Sequence, residues 1–522
     1  MASPQQDPGT RPTAPPGLAD RTTALVGWTI AWRATSAVAT VALGAVLVRQ
    51  LPTSEYGRYT LVLSVLVYIA LLATFGQDQG LLRYLPEVLA RGDRNAAHDL
   101  LRKSAIAVVV VWAVTSLVVF ALRPVIDGVL HAHVADLLAL GTILLLATIA
   151  AGVLSFALVA IYDMRSQAIA TPIAGALTLA LAVLALHRGW QIAGVLLAGA
   201  IGQSTLAAFY LWVLLRRIRR AQGVRSDRVG WRRLLVYASG WLPSLLIASA
   251  VGLQFESLFL LRFAGSTTVA YYDTGYNIPQ RLVALIPSLL TGAWVVGTLE
   301  SAHHEVGRVR AAVIAFYKGI FLVAFPLLIA GVALLGPLVL ALYTLPPAAR
   351  IAPILLAFFI AALLATPWGL VVRVRELAWL NALISIAQVG FAAVADFWLI
   401  QKFGLSGAVA AVGLTTALTL ILTFIAWRAI DRSSLAIPWG YAGRCLLAAL
   451  PFLVLLPLAA IHLRLRSLLL VAAVLSVLAT IAWLFLVRRL RLLARNEVPL
   501  LHQSKQAPIV IALRYLAPEP GA

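Results

Sequence analysis

The chain is poor in charge, poorer still in acidic residues, and almost without sulfur. Only 12% of its 522 residues are charged, against about 25% in a typical soluble domain. That is too little polar surface for a water-soluble enzyme of this size. One cysteine, Cys445, excludes an intramolecular disulfide framework and reads as a buried, inert thiol. No G-x-x-x-x-G-K-[ST] phosphate loop occurs, which excludes ATP hydrolysis by that route, and no H-E-x-x-H zinc motif is present. His303-His304-Glu305 has the wrong spacing for a zinc site on one helix face, and His131 and His133 beside Asp127 and Asp136 read as a fortuitous cluster. The connections between apolar runs are short, so no soluble catalytic domain fits among them. No cofactor and no metal are expected, and the chain reads as something other than an enzyme.

What it has is apolar length. Hydrophobic residues make up 61% of the chain and the mean hydropathy is +0.93. A bilayer core takes roughly 20 apolar residues per helix. Fourteen runs qualify: 23–48, 59–80, 104–122, 137–161, 166–186, 190–215, 234–261, 276–298, 311–335, 351–372, 378–400, 404–427, 441–461 and 467–487. The expected fold is therefore an all-α integral membrane protein. Residues 1–22 are rich in Pro, Gly and polar side chains and read as a disordered cytoplasmic tail.

Charge then gives the orientation. Lys and Arg number 41 against 20 Asp and Glu, a net +21. With the N-terminus cytoplasmic, 29 of the 41 lie in or at the edges of cytoplasmic segments and nine in outer loops, while three lie deeper within spans. That asymmetry is the positive-inside pattern and places both termini in the cytoplasm. It leaves nucleic acid without a role as partner.

The largest basic cluster, residues 216–233, reads as a topology anchor on anionic headgroups. It divides 23–215 from 234–430, six spans each, leaving spans 13 and 14 (441–487) as an appendix and 488–522 as a cytoplasmic tail. The halves echo one another: Arg49 and Tyr59 stand ten apart at the outer end of span 1, and Arg262 and Tyr272 ten apart at the outer end of span 7. Two six-span lobes related about the membrane normal are a transporter layout with substrate between them.

Ionisable residues inside a membrane are costly and mark function by default. Arg33 lies near the middle of span 1, Glu256 beside Gln254 deep in span 7, Arg281 in span 8 and Lys318 in span 9. Three cations to one anion suit an anionic headgroup, which arginine grips bidentately. Arg33, Arg281 and Lys318 are thus expected to line a cationic, substrate-binding cavity. Glu256, with Gln254, is a candidate site for a proton or sodium ion, because a lone buried carboxylate charge is poorly tolerated. A plain structural Glu256–Arg pair is the competing reading. Asp78, in Gln77-Asp78-Gln79 at the inner end of span 2, is a candidate gate residue, although an amphipathic connector accounts for the same run. Pro243, Pro279, Pro287, Pro326, Pro353 and Pro367 supply bends in spans 7–10, against Pro172 in the first half.

The run LVRQLPTSEYGRYTLVLSV and the later ATFGQDQGLLRYLPEVLARGD resemble the N-terminal signature of Wzx-type polysaccharide flippases. These belong to the multidrug/oligosaccharidyl-lipid/polysaccharide (MOP) exporter superfamily. The matching residues are Leu51-Pro52, Glu55-Tyr56-Gly57, Tyr59, Gly80, Arg83 and Tyr84, echoed by Thr268 to Tyr272 and Gly275-Tyr276. The resemblance implies a two-lobed helical transporter of 12–14 spans. It would move polyprenyl-pyrophosphate-linked oligosaccharide across the bacterial inner membrane by alternating access, in some members with an ion gradient. Surface polysaccharide such as O-antigen or capsule, with assembly enzymes as partners, is the implied setting. Low charge in spans 2 and 3 departs from the peptidoglycan-precursor flippases and disfavours that substrate. A MATE-like antiporter of cationic drugs is the alternative, weakened by the single deep acid. A membrane glycosyltransferase or polymerase is disfavoured by the short outer loops.

Overall fold

The computed structural model describes residues 18–130, 135–161, 163–219, 229–240, 256–290, 306–374, 377–460 and 465–493. Gln254, Pro243, His131, His133, the His303-His304-Glu305 triplet, the middle of the basic linker and most of both tails lie outside the described residues. The chain is helical throughout its described length, and nine of the described helices are long and apolar enough to cross a membrane.

The first lobe contains α1 (Leu18–Gln50), α2 (Thr53–Ala73), α3 (Gln77–Ala90), α4 (Arg94–Ala121), α5 (Arg123–Leu130), α6 (Ala135–Ala160), α7 (Met164–His187) and α8 (Gln191–Arg219). Its boundaries follow local chemistry. α1 stops just before Leu51-Pro52, because a residue preceding proline disfavours the helical conformation. Asp93 caps α4 by accepting from the Ala96 amide at 2.9 Å, and Asp163 caps α7 by accepting from the Ser166 amide at 3.1 Å. The expected second span, 59–80, is cut short: α2 ends at Ala73, and the chain turns through Phe75 (φ 45°) and Gly76 (φ 67°) into α3.

The second lobe contains α9 (Trp231–Gly240), α10 (Glu256–Ala264), α11 (Ser266–Leu290), α12 (Val306–Tyr343), α13 (Pro346–Ala362), the short α14 (Trp368–Val374) and α15 (Ala378–Ile430). A continuous helix of 53 residues would be about 80 Å long, far more than a bilayer core of about 30 Å. α15 is in fact two helices meeting at Gly404, whose φ of 54° breaks the run where the sequence places spans 11 and 12. α16 (Trp439–Ala449) continues as a 3-10 helix, Leu450–Ala459, where Pro451 and Pro457 remove backbone donors. It packs with α17 (Leu465–Arg489) against α12.

One connected apolar core runs through both lobes, built around α6, α7 and α8 in the first and around α11, α12 and α13 in the second. Large apolar side chains cover the outside; Leu117 and Leu470 are 70% and 69% exposed. In water such a coat would promote aggregation, whereas lipid tails are its natural solvent. Cys445 is buried, as its surroundings in the sequence suggest.

Besides the packing of α1 and α2 against α11, the lobes touch at two ends. At one, the Arg49 guanidinium donates to the Ala341 and Leu342 carbonyls at 2.8 and 3.0 Å, and the Tyr343 hydroxyl donates to the Val41 carbonyl at 3.0 Å. Gly57 there lies so close to the Ser266 backbone that a methyl group would run into its carbonyl. At the other end, α3 meets α9. Gly76 rests on the Ala238 carbonyl with no room for a side chain, and the Tyr84 and Tyr237 rings stand edge to face at 5.5 Å. The Arg233 guanidinium lies 5.2 Å from the Tyr84 ring.

Candidate functional site

Between these two ends lies a cavity of about 300 Å³ walled by α1, α2 and α11, so both lobes contribute. From α11 come Asp273, Asn277, Gln280 and Arg281. Their spacing of i, i+4, i+7 and i+8 sets four planar polar side chains on one helical stripe. Opposite stand Tyr56, Tyr59, Thr60 and Ser64 of α2, with Thr40 and Gly44 of α1 at the side. Asp273 is buried and accepts a hydrogen bond from Asn277 Nδ2 at 2.8 Å. Arg281 is close enough to Asp273, Tyr56 and Tyr343 to feel their charge and dipoles, and its Nε has no hydrogen-bond partner among the described residues.

The five described site residues expected from sequence end up in five places. Arg281 lines this cavity. Arg33 does not: it is exposed on α1, its guanidinium 5.8 Å from the Trp32 ring, with no ion pair among the described residues. It lies seven residues before Thr40, about 10 Å along the helix. Lys318 faces away from the cavity, its ammonium 5.4 Å from the Tyr441 ring of α16. Asp78 is buried at the start of α3, one carboxylate oxygen accepting from Gln79 Nε2 at 2.9 Å and the other without a partner among the described residues. Its neighbour Gln77 is fully buried with neither amide atom bonded.

Glu256 occupies a second cavity of about 280 Å³ inside the second lobe, with Tyr276, Gln280, Gln388, Thr415 and Thr416 on its walls. Asp396, fully buried on α15, is near enough to Glu256 for their charges to interact. Neither Asp396 oxygen has a hydrogen-bond partner among the described residues, nor does Oε2 of Glu256. The Tyr272 hydroxyl is directed toward Glu256 without reaching full hydrogen-bond geometry. Two carboxylates within electrostatic range of each other, one of them in a cavity lined by amide and hydroxyl groups, are an arrangement that a proton or a hard monovalent cation would relieve. Among the described residues no three His, Cys, Asp or Glu side chains converge, so the set does not suit zinc.

Two groups of residues are therefore new relative to the sequence reading. Asp396 lies inside the expected eleventh span and meets the same criterion that singled out Glu256. Asp273 and Asn277 fall ahead of or at the margin of the expected eighth span, 276–298, because α11 begins at Ser266.

A family model described as polysaccharide biosynthesis protein matches residues 26–295, just over half of the chain. No curated protein sequence matches. Among solved structures, the lipid II flippase MurJ in an inward closed conformation superposes with a TM-score of 0.66 at 10% identity, covering 88% of this chain and 98% of that one. A MOP superfamily transporter from Pyrococcus furiosus gives 0.55 at 16% identity, over 80% and 96% of the two chains. A MATE transporter in complex with MaL6 gives 0.54 at 15% identity, over 80% and 97%. At these identities the likeness is one of fold, and the matched half carries the rest: the chain belongs to the polysaccharide biosynthesis protein family.

Proposed function

We propose that this protein is an alternating-access flippase for polyprenyl-(pyro)phosphate-linked oligosaccharide in surface polysaccharide assembly. It would work in the bacterial inner membrane with both termini cytoplasmic. The observation that carries this reading is the polar cavity shared by the two lobes and flanked at either end by interlobe contacts. A membrane-embedded cavity lined by hydrogen-bonding side chains has a purpose only for a polar ligand. Contacts that can separate at one end and then the other give that ligand two exits. On this orientation the Arg49 end faces outward and the Tyr84 end the cytoplasm. The polyprenyl tail stays in lipid while the headgroup crosses. Arg33, exposed on α1 and without an acidic partner among the described residues, would hold the phosphates, and Arg281, in the cavity lining, the adjoining glycan.

The Glu256–Asp396 pair supplies the drive. Two neighbouring carboxylates inside the second lobe favour whichever lobe arrangement best shares a proton or sodium ion between them. An ion gradient then biases the exchange through that differential binding. The same pair supports a second reading, antiport of a small organic cation, since buried acids attract cations.

One experiment separates the two. Purified protein in vesicles is given fluorescent polyprenyl-pyrophosphate oligosaccharide in one arm and ethidium in the other. A flippase translocates the glycolipid, loses at least about tenfold in rate with Arg281→Ala, and loses its response to a proton or sodium gradient with Asp396→Asn. Ethidium transport without glycolipid transport would establish the antiporter instead. Wild-type glycolipid rates in both Arg33→Ala and Arg281→Ala would remove the proposed role of the two arginines.

A further inference from the structure

The hydrogen-bonding polarity of the interlobe cavity goes beyond its location. Its small hydroxyls are already committed as donors. Thr60 donates to the Gly57 carbonyl, Ser64 to the Thr60 carbonyl and Thr40 to the Ser36 carbonyl, each at 3.0 Å. A hydroxyl whose proton is spent one turn back on its own helix presents only oxygen lone pairs to the cavity. Asp273 adds a carboxylate, which is an acceptor only, and one amide proton of Asn277 is spent on it. The single guanidinium, Arg281, lies further along the same stripe within electrostatic range of that carboxylate, so the charged wall sums to zero. The Tyr56 and Tyr59 rings, 6.4 Å apart and tilted by 34°, supply flat apolar surface beside these acceptors.

We infer that this cavity is a sugar-ring subsite that takes hydroxyl-, amide- or ammonium-bearing sugars and rejects acidic ones, with Asp273 as the selecting residue. The inference rests on the flippase reading above. A pyranose presents several O–H donors at its rim and C–H faces to the tyrosine rings, which matches an acceptor-rich wall with aromatic floor. A phosphate or a sugar carboxylate offers only acceptors and meets lone pairs at Thr40, Thr60, Ser64 and Asp273, while the donors on Arg281, Gln280 and the two tyrosine hydroxyls share one small cavity with the Asp273 charge. Unpaired acceptors and like charges brought together in a buried site are what specificity is commonly made from. The volume of about 300 Å³ lies at the low end of ligand pockets, about 300–1,000 Å³. It holds a sugar unit rather than a whole repeat. The pyrophosphate is thus left outside, toward Arg33.

The test compares two ligands that differ at one carbon. Farnesyl diphosphate carrying galactose and farnesyl diphosphate carrying galacturonic acid are bound to the full chain in lipid nanodiscs, and each affinity is measured. The expected result is at least about tenfold weaker binding of the acid by the wild-type protein, the scale of one like-charge contact. Asp273→Asn, which keeps shape and removes charge, brings the two within about threefold. The wild-type comparison decides even where the variant fails to fold. Equal wild-type affinities, or tighter binding of the acid, overturn the subsite while leaving the flippase reading intact. Unchanged discrimination in a folded Asp273→Asn protein overturns the assignment to Asp273. Binding of tetraphenylphosphonium but of neither glycolipid overturns the flippase reading, and the subsite with it.

Discussion

At the Arg49 end the lobes are joined by bonds to backbone carbonyls, whereas at the Tyr84 end they are joined mainly by rings and stems, with one bond from Lys103 Nζ to the Val229 carbonyl at 2.8 Å just before α9. Arg49 and Tyr343 between them make three hydrogen bonds across the interface, each fixed in direction. Across the other, a T-shaped tyrosine pair and an arginine over a ring make contacts that tolerate sliding. The two ends also differ in what they leave unfinished. Gln77 and one oxygen of Asp78 are buried without partners beside the Gly76 contact, and water admitted there would satisfy them. One end is built to be specific, the other to yield. An element held by directional bonds in one place and by forgiving contacts in another opens first where hydration is gained.

Three substitutions break or sharpen that difference. Spin labels at the exposed positions Gln50 and Arg350 report the Arg49 end, and labels at Arg91 and Arg232 report the other. The largest effect is expected from Gly57→Leu, because its side chain would be driven into the Ser266 backbone. Backbone has no rotamer with which to give way, so the Arg49 end stays apart, its label distances lengthen, and transport falls below about a tenth of wild type. Next is Arg49→Ala, which forfeits two charge-assisted bonds worth about 1–3 kcal/mol in all after allowance for solvent. The Gln50–Arg350 distribution should gain a long component while Arg91–Arg232 stays unchanged. Smallest is Tyr84→Ala, where an edge-to-face pair contributes about 0.5–1.5 kcal/mol. It should lengthen only Arg91–Arg232. A Tyr84→Ala effect on the Arg49 end as large as that of Arg49→Ala would show that the two ends are one cooperative unit.

Much of this architecture is readable from hydropathy, because lipid forces every crossing segment to be both helical and apolar. The break at Gly404 falls where spans 11 and 12 were separated, and α4, α6, α7 and α8 lie on their expected runs. The departures share one cause. α11 carries a polar stripe, and averaging along the sequence dilutes such a face, so its first turns pass for loop and Asp273 with them. The α2–α3 turn at Phe75 and Gly76 lies within an apolar run and is set by packing on α9, which no local window contains. In the sequence only charge and depth mark Arg33 and Lys318. Neither property tells which way a helix is rotated, and the rotation puts Lys318 against Tyr441.

Gln280 sits on the walls of both cavities, the one between the lobes and the one that holds Glu256. A side chain shared in this way cannot lean toward one occupant without withdrawing from the other. Filling either cavity therefore alters the free energy of filling its neighbour, and thermodynamic linkage requires the effect to be equal in both directions. On the proposed function, a single amide would make glycan and ion each other's effector, with no hinge or long pathway between them.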